Sequence, residues 1–130
     1  MKSTPFNSVT DLPPIPFDIR HCRLAARLKA AGLAWTPHVG CFVWDRDGFI
    51  PVPSPFPERI YFILNLDRLL KIFTSLDTMR EQLIWIPTWH QGRLVLERLG
   101  GVLNESGETS PDEDVLMLYE CILQKLVDRR

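Results

Sequence analysis

Leu83-Ile84-Trp85-Ile86-Pro87-Thr88-Trp89-His90-Gln91 decides the architecture, because a short buried strand runs there directly into a capped helix. Ile84, Trp85 and Ile86 are β-branched or aromatic and suit a pleated, mostly covered surface. Pro87 has no N–H to give a ladder and forces Ile86 into extended geometry, so the strand ends there. Thr88 then stands at an N-cap, and Gln91, three residues on, closes a capping box. In the helix that follows, Trp89, Gly92, Val95, Leu96 and Leu99 share one face, and Gly100-Gly101 ends it.

Working upstream, Arg59 to Leu64 reads as a strand, with Ile60, Tyr61, Phe62 and Ile63 apolar enough to be covered on both sides. Asn65 caps a helix whose core face is Leu66, Leu69, Leu70 and Phe73, and Ser75 caps a further turn or two through Leu76, Met79 and Leu83. This strand–helix–strand order admits a parallel pair with a right-handed crossover, or two strands flanking an intervening third. Val39 to Trp44 and Phe49 to Val52 bracket Asp45-Arg46-Asp47-Gly48, where Asp47-Gly48 predicts a β-hairpin. Pro51, Pro53, Pro55 and Pro57 recur at every second position and predict an exposed extended run, a linker or sheet edge.

Near the N-terminus, Asp18 caps a helix to about Ala31, with Leu24, Ala25, Leu28 and Ala31 inward and Arg20, Arg23 and Arg27 on the opposite side. Residues 1–17 form a proline-containing arm expected to be mobile, and residues 18–130 a single domain. Beyond Gly101 a polar loop over 104–109 leads to Ser110-Pro111-Asp112-Glu113. There Ser is the cap, Pro occupies N1, acids fill the first turn and Glu stands at N3. The final helix runs to about Val127 and is apolar around much of its circumference. It therefore predicts burial on more than one side or a contact between copies through Leu116, Met117, Leu123 and Val127. The expected fold is α+β: a small mixed or antiparallel sheet of about four strands from 39 to 86, packed by three to four helices.

A chain of 130 residues buries enough surface to be held by its own core without metals or disulfides. Its formal net charge of −1, from 15 basic and 16 acidic side chains, draws it to neither nucleic acid nor an anionic membrane. The three cysteines, Cys22, Cys41 and Cys121, are widely spaced and set among apolar residues, as reduced core thiols are. With no export signal or membrane-spanning run, a cytoplasmic location is expected.

Complete catalytic signatures are missing. The best metal set is His38-Val-Gly-Cys41 with His21-Cys22, but no Cys-x-x-Cys pair accompanies it, and no metal or cofactor is expected. A Cys–His nucleophile pairing Cys41 or Cys22 with His38 or His90 is formally open, but Cys41, between Gly40 and Phe42, has neither a cation nor a helix N-terminus to activate its thiol. There is no Gly-x-Ser-x-Gly elbow, phosphate-binding glycine loop or paired-acid magnesium helix. His90, in the first turn of its helix, marks a ligand candidate together with Trp85, Trp89 and Gln91. Arg20, Arg23 and Arg27 form a weak basic stripe without an aromatic platform. A non-enzymatic accessory or protein-interaction role is expected, with a protein partner or a second copy. The alternatives are a small ligand-binding protein or hydrolase with a Trp/His-lined cleft, and a weak nucleic-acid-binding accessory protein.

Several stretches taken together carry a resemblance: Leu28-Lys-Ala-Ala-Gly-Leu33, Cys41-Phe-Val-Trp44, Trp85-Ile-Pro-Thr-Trp-His-Gln91 leading to Leu96-Glu-Arg-Leu-Gly100, and Ser110-Pro-Asp-Glu-Asp-Val-Leu116. Over residues 19–127 the chain resembles small bacterial and prophage-associated α+β domains of unknown function. In these an aromatic strand pair, a Pro-Thr helix start and a C-terminal Thr-Pro-Glu helix recur. The resemblance implies an α+β domain in a bacterial, mobile-element setting and transfers no catalytic residue. The helical insertion from Leu66 to Gln82 and the proline run depart from its shorter members.

Overall fold

The computed structural model describes residues 7, 9–103 and 110–129. The expectations for residues 1–6 and 8 of the arm and for the loop 104–109 lie outside the described residues. Three short strands, β1 (Phe42–Trp44), β2 (Ile60–Phe62) and β3 (Ile84–Ile86), form an antiparallel sheet in the order β2-β1-β3. Phe42, Val43 and Trp44 pair with Phe62, Tyr61 and Ile60 on one side and with Ile86, Trp85 and Ile84 on the other. β2 and β3 thus run the same way and meet the same central strand. Of the two arrangements open to a strand–helix–strand unit, this is the one with a strand between.

Alternation along the strands divides the interior in two, since successive side chains point to opposite faces. Ile60, Ile84 and Ile86 join α1 (Ile19–Ala30), α4 (Trp89–Arg98) and α5 (Pro111–Asp128) around Leu28, Leu96, Leu118, Tyr119 and Ile122. Cys41, Val43 and Ile63 join α2 (Leu66–Phe73) and α3 (Leu76–Gln82) around Ile50, Phe73, Met79 and Leu83. The sheet is the middle layer. Among the described residues there are three strands and five α-helices, against the expected four strands and three to four helices. The extra helix arises because Thr74, with φ of +68°, breaks the 66–82 segment and Ser75 restarts it by accepting from the Thr78 N–H.

The absent fourth strand is Phe49–Val52, and its absence has a local cause. Asp45, completely buried, accepts the Phe49 N–H at 3.0 Å and the Ile50 N–H at 2.8 Å. Those donors belong to the expected return strand of the hairpin. With Gly48 at φ +77° completing the turn, the chain leaves β1 and enters the proline run. Arg59 closes the loop from the other side, its Nη2 donating to the Asp45 carboxylate at 2.9 Å and to the Ile50 carbonyl at 3.2 Å. β1 is left free to pair with β2 instead.

The expected caps at Asp18, Asn65, Ser75 and Thr88 all form, and Thr88–Gln91 is a reciprocal capping box. Gly100, at φ +78°, lets the Gly101 N–H reach the Leu96 carbonyl at 2.9 Å and stop α4. Ser110 departs from expectation: it makes no side-chain cap bond. α5 lies between α1 and α4 and closely against the latter. A Cβ at Gly92 would stand 2.6 Å from Leu118 Cδ2, so glycine is what permits that approach. Two-sided packing accounts for the wide apolar circumference of α5.

Candidate functional site

His21 carries the first unexpected role. It is fully buried, and its Nδ1 accepts the Asp18 N–H at 3.0 Å, giving α1 a capping box with histidine at N3. The other nitrogen, Nε2, therefore bears the proton and donates to the Asp112 carbonyl at 2.8 Å. Arg20 adds ion pairs to Asp18 at 2.7 Å and Asp112 at 2.8 Å, joining the starts of α1 and α5. The Asp18-x-x-His21 spacing was the available signal. Arg23 and Arg27 remain exposed beside Arg20, so one member of the basic stripe is already neutralised.

The two halves of the candidate metal set lie on opposite faces of the sheet, Cys22 in the first core and Cys41 in the second. Among the described residues no three His, Cys, Asp or Glu side chains gather to hold a metal ion. His38 Nε2 does stand 3.4 Å from Cys41 Sγ. Because His38 Nδ1 donates to the Val39 carbonyl at 2.8 Å, Nε2 is left to accept the S–H. A base is thus in place, but Cys41 is 1% exposed and burial pushes its thiol pKa up. Cys22 is pushed up to about 12, first by burial and then by the charges of Glu58 and Asp18. Neither thiol presents the accessible thiolate that a nucleophile needs.

Trp85, Trp89, His90 and Gln91 are not brought together. Trp85 lies on the second face, stacked on Trp35 with ring centres 6.1 Å apart, and its indole N–H is buried with no partner among the described residues. Trp89 packs against the first core under the Arg93 guanidinium, and Gln91 is occupied as the cap partner of Thr88. Only Trp89 and His90 share a groove, of about 480 Å³, with Arg93, Leu94, Glu97 and Val102. Its charges are mixed. On α5, Leu116, Met117 and Leu123 are half-buried, Leu116 and Leu123 against the first core, while Val127 is 50% exposed.

A second groove, of about 500 Å³, was not anticipated. One wall is the proline run at Val52, Pro53 and Pro55, the floor is the end of β2 and the bend after it, from Tyr61 to Leu64, and the other wall is α2 at Arg68, Leu69, Lys71 and Ile72. Leu64 is 75% exposed and Val52 54%. The charged lining residues are Arg68 and Lys71, both cations, with no acid. The sequence signal was Leu64 and Ile72, apolar residues outside the core faces of their own segments.

These features define a class by architecture: an α+β domain whose three-stranded antiparallel sheet is sandwiched between unequal helical layers. No protein-family model, curated protein or solved structure matches the chain. Among the described residues no helix is long and apolar enough to cross a membrane.

Proposed function

We propose that this chain is a non-enzymatic protein-interaction domain that engages its partner through the groove between the proline run and α2. The observation that carries the proposal is an open apolar groove, with Leu64, Val52 and Ile72 displayed in water. Contiguous apolar surface of this kind marks association sites. The placement of the reactive side chains adds support. His21 is consumed in a helix cap, Asp45 in a loop clasp, and the buried Cys41 thiol in a bond to His38.

Site-directed photocrosslinking in the native host tests this reading. A photoreactive side chain at Ile72 should give a discrete heterologous adduct that disappears when Leu64→Glu is added. The same group at the exposed Glu120 of α5 should give none. Loss of the discrete pattern, or identical adducts from both positions, would overturn the proposal. An adduct of twice the subunit mass would make the partner a second copy.

A further inference from the structure

Backbone polarity along β2 carries the interaction reading one step further and rests on it. The Ile63 N–H donates to the Cys41 carbonyl at 2.9 Å, and the Asp45 N–H donates to the Arg59 carbonyl at 3.1 Å. Residues 59, 61 and 63 therefore turn their peptide groups toward β1. By the alternation of the strand, residues 60 and 62 turn theirs outward, and Leu64 follows at a bend just past the strand. At Ile60 both outward groups are occupied, the N–H by the Pro57 carbonyl and the C=O by the Ser54 hydroxyl. At Phe62 the outward groups, and at Leu64 the backbone N–H and C=O, have no partner among the described residues. β2 is an edge strand, and this end of it is the floor of the groove.

The neighbouring wall cannot supply the missing pairing. Pro53 and Pro55 have no N–H to offer, so the run that shields Ile60 passes Phe62 without forming a ladder. On the opposite wall Arg68 and Lys71 make no ion pair among the described residues. An open strand edge, apolar walls and two uncompensated cations are complementary to one kind of occupant. We infer that the outer edge of β2 at Phe62, with the bend that continues it to Leu64, is a strand-addition site for an extended partner segment carrying apolar side chains interleaved with Asp or Glu. Main-chain bonds to Phe62 and Leu64 would hold it, Val52, Leu69 and Ile72 would receive its apolar side chains, and Arg68 and Lys71 would select its acids.

Selection from a displayed library of random nine-residue peptides on the full chain, with the Leu64→Glu protein as counter-target, supplies the probe. The enriched peptides should alternate apolar and acidic residues. For the best of them, Arg68→Glu with Lys71→Glu should weaken binding at least tenfold. N-methylation of its backbone should be damaging at every second position and tolerated between. Amide exchange at Phe62 and Leu64 should slow on binding, while Tyr61 and Ile63 change little. Enriched peptides that are indifferent to N-methylation, or helical in their apolar spacing, would overturn strand addition. So would a selection yielding nothing that distinguishes the two targets. A groove-specific crosslink from Ile72 accompanying either failure would leave the interaction reading standing, and its loss as well would remove both.

Discussion

The two faces of the sheet use the same three strands and are built to different standards. On the first, long helices close over fourteen buried side chains among those described, against seven on the second, where α2 and α3 are only 8 and 7 residues long. The first face also has reciprocal capping boxes on α1 and α4, the Gly92–Leu118 approach, and Tyr119, whose hydroxyl donates to the Pro87 carbonyl beneath the sheet. On the second face, loops do much of the covering: Trp35 and Ile50 pack from irregular chain, and the proline run stops short of sealing the β2 edge. Helices this short bring little stability of their own, and a wall without N–H donors cannot extend the sheet. Closure and exposure are thus separated by a single layer of strands. The difference assigns stability chiefly to one face, and the groove proposed to bind a partner lies on the other.

The largest effect should come from opening a cavity in the first face. Leu118→Ala should cost about 4 kcal/mol in urea unfolding, because long, mutually packed helices cannot collapse onto the void. Met79, equally buried on the second face, should cost about 2 kcal/mol as Met79→Ala, since short helices there can relax. Equal costs would break the comparison. Asp45→Ala comes next, at about 2–3 kcal/mol, because the Phe49 and Ile50 N–H groups lose their acceptor and Arg59 its partner. Hydrogen exchange should locate that loss in 45–64 and the second core, with α1, α4 and α5 unaffected below the global transition. Uniform acceleration across both faces would show them to be one cooperative unit.

Tyr119→Phe should cost about 1–2 kcal/mol by leaving the Pro87 carbonyl without its donor, with the aromatic packing retained. The smallest effect concerns acid. Hydrogen bonds from Arg20 lower the Asp18 pKa from its ordinary 3.8 to about 2, outweighing the opposing effect of burial. A depressed carboxylate contributes stability that is fully present above about pH 4 and disappears as pH falls through about 2. The Asp18 side chain is 42% exposed, so solvent screening should hold the contribution to about 1 kcal/mol. Chemical denaturation from pH 5 to pH 2 checks this, since Asp18→Asn should flatten that part of the curve.

Much of the molecule was legible in the chain because the signals were local. Thr88–Gln91, Asn65, Ser75, Asp18 and the Gly100-Gly101 stop each act within four residues of themselves, and all are found as read. The core faces Leu24–Ala25–Leu28 and Leu66–Leu69–Leu70–Phe73 follow from helical spacing, and they pack as expected. The missing hairpin strand shows where local reading stops. Asp47-Gly48 did specify a turn, but the carboxylate of Asp45 took the donors that a return strand would have used, and its burial depends on Arg59, 14 residues away. The candidate cluster of Trp85, Trp89, His90 and Gln91 failed to gather for a related reason. Closeness in sequence across Pro87 says nothing of which side of the sheet each ring enters, and Trp85 and Trp89 enter opposite sides.

What the sequence by itself determined is the α+β class, the helix starts and stops, and the identity of β1, β2 and β3. Caps, turn glycines and hydrophobic period are short-range properties of the covalent chain. Only the tertiary structure decided that β1 lies between β2 and β3, that the helices divide unequally over two faces, and that the outer side of Phe62 is left unpaired, among the described residues, beside Arg68 and Lys71. Strand order and exposure are set by competition among segments far apart in sequence for the same backbone donors and the same apolar surface. No local pattern records which of them wins.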